Sequence, residues 1–209
     1  KNLIHSIQKI ITRLIDSFEV GNVIKNGIPV AIVGKPNAGK STLLNILLEE
    51  EKAIVSEIAG TTRDAIEDEM IIEGILFRFI DTAGIRETTD IIESMGVSKT
   101  YEKIKQSSIV IYLFDVHEIS NKELSDIITE LKSHLINSQL LIVGNKIDKE
   151  DIDYTLNEFS DIQEKIVFIS AKNKTHIDDL KKRLVTLFDN RTVNVSETIV
   201  TNARHANAL

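Results

Sequence analysis

The sequence predicts an α/β fold in three layers, with a mostly parallel six-stranded sheet carrying one antiparallel edge strand between layers of helix. Three observations lead there. Short apolar runs alternate with helix-period stretches, a glycine-rich loop separates the first run from the first helix after it, and only one pair of runs is close enough for a hairpin. Along the chain, Ile4, Ile7, Ile11, Leu14, Ile15 and Phe18 recur at spacings of three and four, the stripe of an amphipathic helix whose apolar face needs a partner. Gly21, Asn26, Gly27 and Pro29 interrupt that pattern, and Val30 to Val33 reads as a buried strand entering the loop, with a helix over Leu43 to Leu48 beyond it. Further strands are expected at about 66–72, 75–80, 108–115, 139–143 and 165–169. Glu73-Gly74 joins the second and third strands as the hairpin. Past Asp189 the text is polar and aperiodic until Ile199 to Leu209, a tail that rejoins whatever the first helix packs against. The expected division is therefore an appended helix over 1–25, a main domain over 26–190 and a return segment over 191–209. No internal repeat or low-complexity tract points to a solenoid.

Composition narrows the function classes. With 209 residues, 42% hydrophobic and 27% charged, the chain supports one ordinary globular domain and a small appendage. A net charge of −7 argues against a surface that grips nucleic acid phosphates non-specifically, because that needs clustered Lys and Arg. The chain has no cysteine, hence no disulfide framework or thiolate metal site, and its His residues lack metal-ligand spacing. Apolar runs such as Ile109 to Phe114 fall far short of the roughly 18 residues of a membrane span. The expectation is a soluble, cytoplasmic protein with no membrane partner. Because it begins at Lys1 and runs to Leu209 with no stop signal, it reads as part of something longer.

The chemistry starts at Gly34-Lys35-Pro36-Asn37-Ala38-Gly39-Lys40-Ser41, which fits G-x-x-x-x-G-K-S between a strand and a helix. This is the phosphate-binding loop of a P-loop NTPase. Its glycines let the backbone wrap close to phosphate, so successive N–H groups from Asn37 to Thr42 and the helix N-terminus point at the anion. Lys40 is placed to reach the β and γ phosphates and Ser41 to ligate Mg²⁺. Asp81-Thr82-Ala83-Gly84 follows the strand Phe77 to Ile80, where an acid faces the same crevice. Asp81 is the expected carboxylate that holds Mg²⁺ through water, and the Gly84 amide is the expected γ-phosphate contact. Between these motifs, Gly60-Thr61-Thr62-Arg63-Asp64 suits a loop that closes when a threonine meets Mg²⁺, with Thr62 as that ligand.

Asn145-Lys146-Ile147-Asp148 and Ser170-Ala171-Lys172, each after an apolar strand, select the base. Asp148 can accept from guanine N1–H and the exocyclic amino group, whereas adenine offers an acceptor at N1 and no amino group at C2. At about 1.5–3 kcal/mol per charge-assisted bond, losing two corresponds to about 10²–10⁴ in discrimination. GTP is therefore the expected substrate. Lys146 is expected over one face of the base, Asn145 as a tie to the phosphate loop, and the Ala171 amide on guanine O6.

One position departs from the common switch pattern. Ile85 follows D-x-x-G where a water-orienting Gln often stands, and an isoleucine cannot orient water. Either the chain is a GTP-binding switch with little hydrolysis, or another group supplies the function; Glu87, Asp90 and Glu93 are the nearby acids, each of which also suits a solvated loop.

The strings G-K-P-N-A-G-K-S-T-L-L-N, A-G-T-T-R-D, D-T-A-G-I-R-E-T, N-K-I-D and S-A-K, over about 28–190, together resemble the MnmE/TrmE family of tRNA-modification GTPases. The tail Thr201-Asn202-Ala203-Arg204-His205 is similar to that family's return into its helical domain. The G-motifs alone are shared with ribosome-assembly GTPases of the Era and Der type, which stand as the alternative. What the resemblance implies is a G domain that hydrolyses GTP when two copies meet, with K⁺ where an arginine finger would act. It implies Asn37 as a side-chain K⁺ ligand, with Thr61 and the carbonyls of Ser56 and Ile58. Read from its own position, Asn37 is equally a residue tolerant of a tight turn. The resemblance further implies Glu93 as the water-orienting acid, a homodimer through the G domains, the flavoprotein MnmG as partner, and tRNA wobble uridine (U34) as the final target.

Overall fold

The computed structural model describes residues 26–55, 68–80, 101–102, 104–136, 138–149 and 157–188. The expected helix over 4–18 and the tail over 191–209 lie outside those residues, as does the proposed boundary at 190; the description begins at Asn26, the expected first residue of the main domain. The strands are β1 (Ile28–Val33), β2 (Asp68–Ile72), β3 (Ile75–Phe79), β4 (Ile109–Asp115), β5 (Gln139–Asn145) and β6 (Ile166–Phe168). The longer helices are α1 (Lys40–Val55), α2 (Asn121–His134) and α3 over 177–188.

The six strands run in the order β2-β3-β1-β4-β5-β6. Only β2, at the edge, is antiparallel to its neighbour; β3, β1, β4, β5 and β6 are parallel. Glu73 and Gly74, at φ 50° and 81°, form the two-residue turn of the β2–β3 hairpin, with both residues left-handed as a strand-matching type I′ turn requires.

Strand patterning explains the layers. All seven residues of β4 are buried, as expected for a central parallel strand covered on both faces. Their side chains alternate between two cores. Ile109, Ile111 and Leu113 pack with Leu43, Leu44 and Leu47 of α1 and Leu180 and Leu184 of α3, whereas Val110, Tyr112 and Phe114 pack with Leu124, Ile128 and Leu131 of α2. The N-terminus of α2 is closed by Ser120, whose hydroxyl accepts from the Glu123 amide at 3.3 Å.

Two of the boundaries that differ from the pattern-based expectation bear on the site. β5 continues through Gly144 and Asn145, because these residues keep their parallel register with Phe114 and Asp115. α1 starts at Lys40, three residues before its apolar run, because the phosphate loop leads directly into its first turn. The carboxyl ends of β1, β4, β5 and β6 therefore share one edge of the sheet, on both sides of the point where the chain switches direction from β1, the usual place for a ligand crevice. Among the described residues no helix is long and apolar enough to cross a membrane.

Candidate functional site

At the end of β1 the chain passes so close to β4 that a Cβ on Gly34 would lie 2.0 Å from the Leu113 carbonyl oxygen. The loop then turns back through Asn37, which is exposed and left-handed at φ 61°, and through Gly39 at φ 100°. A Cβ on Gly39 would meet Asn145 Nδ2 at 2.3 Å. Lys40 Nζ donates to the carbonyls of Gly34 at 2.8 Å and Lys35 at 2.7 Å, so the ammonium is held against the loop that is to carry phosphate. The first i→i−4 bond of α1 runs from Leu43 N to Gly39 O at 2.9 Å. The amides of Lys40, Ser41 and Thr42 precede it, in the turn whose donors a helix satisfies from outside and whose dipole favours an anion.

Asn145 joins the two halves of the site. Its side chain is buried, with Nδ2 donating to Ala38 O of the phosphate loop at 2.8 Å and Oδ1 accepting from Ala171 N at 2.9 Å. The Ala171 amide, expected on guanine O6, is thus directed to Asn145. A buried amide carbonyl demands a donor, and Ala171 is the one beside it. Asp148 stands exposed in the 3₁₀ turn Ile147–Lys149, and its Oδ1 accepts from the buried Ser170 hydroxyl at 2.6 Å. Ser170 Oγ itself accepts from Asn173 N at 3.1 Å, which orients the hydroxyl proton toward the carboxylate. The Ser170 bond, above all, holds the Asp148 carboxyl below its usual range; burial opposes it, and the Asp148 amide and the charges of Lys172 and Lys149 add to the lowering.

Replacing Ser170 by alanine is expected to raise the Asp148 pKa toward its ordinary 3.8, read by NMR titration of the carboxyl carbon. Because the folded-state value is depressed, the contribution of this bond is present above the ordinary pKa and lost as pH falls through the lowered one. An unchanged titration in Ser170→Ala would show that the hydroxyl does not orient the acid.

Lys146, expected over the base, directs its Nζ to Asp115 Oδ2 at 2.6 Å. Asp115 was not among the residues singled out from the sequence. Its signal is an acid closing the otherwise apolar strand Ile109 to Phe114, the same placement that drew attention to Asp81. Burial pushes the Asp115 carboxyl upward, but the bonds from Lys146 and the His117 amide, with the charge of Lys149, prevail and lower it. Lys172 is exposed beside Asp148. The other expected site residues, Ser56, Ile58, Thr61, Thr62, Asp81, Gly84 and Glu93, lie outside the described residues, as does Ile85.

A family model described as 50S ribosome-binding GTPase matches residues 29–146, more than half of the chain. The chain belongs to this GTPase family. Membership in it implies the use of GTP and Mg²⁺. The Ser41 hydroxyl in the first turn of α1, beside a loop whose close approaches leave no room for a Cβ at Gly34 or Gly39, fits a ligand for that ion. A hydroxyl supplemented by phosphate oxygens suits the ion's preference for oxygen ligands.

The GTPase is similar over its whole length to proteins called tRNA modification GTPase MnmE. It is 56% identical to that of Cytophaga hutchinsonii over 209 residues, covering 100% of this chain and 45% of the relative. Against the Bacteroides thetaiotaomicron protein it is 48% identical over 217 residues, covering 100% and 46%. The chain thus spans just under half the length of these relatives. Among solved structures, an Era variant of Aquifex aeolicus bound to GDP.AlF4- is 31% identical with a TM-score of 0.57, covering 77% of this chain and 56% of that one. The FeoB G-domain of Methanococcus jannaschii, at 23% identity and TM-score 0.51, covers 77% of this chain and 96% of that one and shares the fold.

Proposed function

We propose that this GTPase is the G domain of an MnmE-type tRNA-modification protein, and that residues 1–25 and 191–209 belong to the helical domain around it. The observation that carries the nucleotide reading is the Asn145 side chain, which bonds the phosphate loop on one side and the S-A-K segment on the other. Guanine recognition is thereby tied to phosphate binding through one buried group. Similarity to MnmE proteins along the entire chain supports the choice of tRNA modification over ribosome assembly. The Era-like structure favours the second reading, but it is 31% identical over 77% of this chain, against 56% over all of it for the Cytophaga hutchinsonii relative.

In the proposed reaction water attacks the γ-phosphorus and the bond to the β–γ bridging oxygen breaks, giving GDP and phosphate. Asp148 and Lys146 hold guanine, with Ser170, Ala171 and Lys172 lining its far side. The amides from Asn37 to Thr42 and the Lys40 ammonium cradle the phosphates. Ser41, Thr62 and Asp81 are the proposed ligands of Mg²⁺, which would neutralise charge on the phosphates. Glu93 orients the attacking water in place of the glutamine that Ile85 replaces, and Thr62 and Gly84 meet the γ-phosphate. Asn37, Thr61 and the carbonyls of Ser56 and Ile58 are the proposed K⁺ ligands, and two GTP-bound copies meet through this face. In the cytoplasm the whole protein would act with MnmG on the wobble uridine of tRNA.

GTP hydrolysis at high protein concentration, in KCl against NaCl at equal ionic strength, tests this directly. More than about tenfold acceleration in KCl is expected, given that a finger cation is worth about 10³–10⁵. Glu93→Ala should bind GTP normally and lose that turnover. Equal slow rates in both salts would remove K⁺ from the mechanism and return the chain to a binding switch.

A further inference from the structure

We infer that His117 is a positioning residue of the guanine site: through Lys146 it holds the loop that presents Asp148, and so it sets both guanine selectivity and the lifetime of the bound nucleotide. This rests on the guanine-binding reading above and adds a residue that no motif contains.

The N-K-x-D segment has a weak point. Lys146 sits at φ 72°, a left-handed backbone that a lysine does not favour, two residues before the carboxylate that must meet the base. Such a residue persists only where its surroundings hold it. The ends of the segment are secured by its own motif residues, Asn145 through its side chain and Asp148 through Ser170. The middle is secured from elsewhere, by the turn that follows β4. Val116 N donates to Asn145 O at 3.2 Å, His117 Nε2 lies 3.0 Å from Lys146 O, and Asp115 Oδ2 takes the Lys146 ammonium. A carbonyl only accepts, so Nε2 carries the proton and donates. Lys146 O also accepts from Lys149 N at 3.2 Å, the bond that closes the 3₁₀ turn bearing Asp148.

His117 is itself fixed, because its amide donates to Asp115 Oδ1 at 3.1 Å. Asp115 thus uses one oxygen to place His117 and the other to place Lys146, and the imidazole closes the ring on the Lys146 carbonyl. Losing that donor leaves the peptide between Lys146 and Ile147 held by the Lys149 amide on Lys146 O and by the Ile147 amide on Ile169 O, bonds of 3.2 and 3.3 Å, and a shift of that peptide carries Asp148 with it. Two hydrogen bonds to a planar base edge tolerate little displacement.

The test uses the full chain as wild type, His117→Leu, which keeps bulk and removes the donor, and His117→Gln, whose Nε2 is able to restore it. Release of fluorescently labelled GDP is followed, with GDP, IDP and ADP as competitors and the melting temperature recorded for each variant. IDP lacks the exocyclic amino group, so the GDP-to-IDP ratio reads the placement of the Asp148 carboxylate rather than general stability. His117→Leu is expected to release GDP about tenfold faster, the scale of one lost hydrogen bond, and to reduce the GDP-to-IDP ratio; His117→Gln is expected to restore both. If His117→Leu melts below the assay temperature, His117→Asn, too short to reach Lys146 O, takes its place under the same criteria. An unchanged ratio in the donor-less variant, or a Gln variant as impaired as the Leu one, overturns the inference. A wild type that does not prefer GDP to ADP would instead overturn the guanine reading itself.

Discussion

Asp148→Asn is expected to weaken GTP binding by about 10²–10⁴ and to strengthen binding of XTP, measured by competition against labelled GDP. The carboxylate already takes the Ser170 hydroxyl on Oδ1. An asparagine can keep that bond with its carbonyl oxygen and turn its amide nitrogen toward the base. Guanine presents two donors on that edge, N1–H and the exocyclic amino group, so a donor now faces a donor. Xanthine carries a carbonyl at C2, which the new amide satisfies. The size of the effect follows from charge: the wild-type bonds are charge-assisted, and a buried mismatch also leaves polar groups without partners. GTP binding that survives the substitution unchanged would mean that Asp148 does not face the base.

Gly34→Ala is expected to destabilise the fold by about 2–5 kcal/mol, lowering Tm by about 10 °C in a thermal melt followed by circular dichroism. The added methyl would stand 2.0 Å from the Leu113 carbonyl oxygen, and that atom belongs to the backbone of β4. A flexible side chain could swing aside. β4 cannot, because it is paired with β1 on one side and β5 on the other. The strain falls on the joint between sheet and phosphate loop, so nucleotide binding should weaken together with Tm. Gly74→Ala is the control: its Cβ would meet nothing within 4 Å, and the remaining cost is that of a left-handed alanine, about 1 kcal/mol. If Gly34→Ala melts no earlier than Gly74→Ala, the close approach of loop and strand is wrong.

The strands, the hairpin at Glu73-Gly74 and the phosphate loop were legible in the sequence because each is specified locally. A fully covered strand reads as a continuous apolar run, a two-residue turn needs residues that accept positive φ, and a helix entered through glycines announces an anion site. Asn145, Asp148 and Ser170 were legible for a similar reason, each following an apolar run whose carboxyl end had to open on the crevice. By itself, then, the sequence determined the fold class, the loop for phosphate and the choice of guanine. Tertiary structure decided the strand order and the partners: Ala171 N with Asn145, Lys146 with Asp115, and His117 with the Lys146 carbonyl. Those partners lie 26 to 31 residues apart along the chain, and the Asn145–Ala38 bond spans 107. Each is chosen by the demand that a buried polar atom be satisfied by whatever donor or acceptor the packed strands bring beside it, and that neighbour is known only once the sheet has formed.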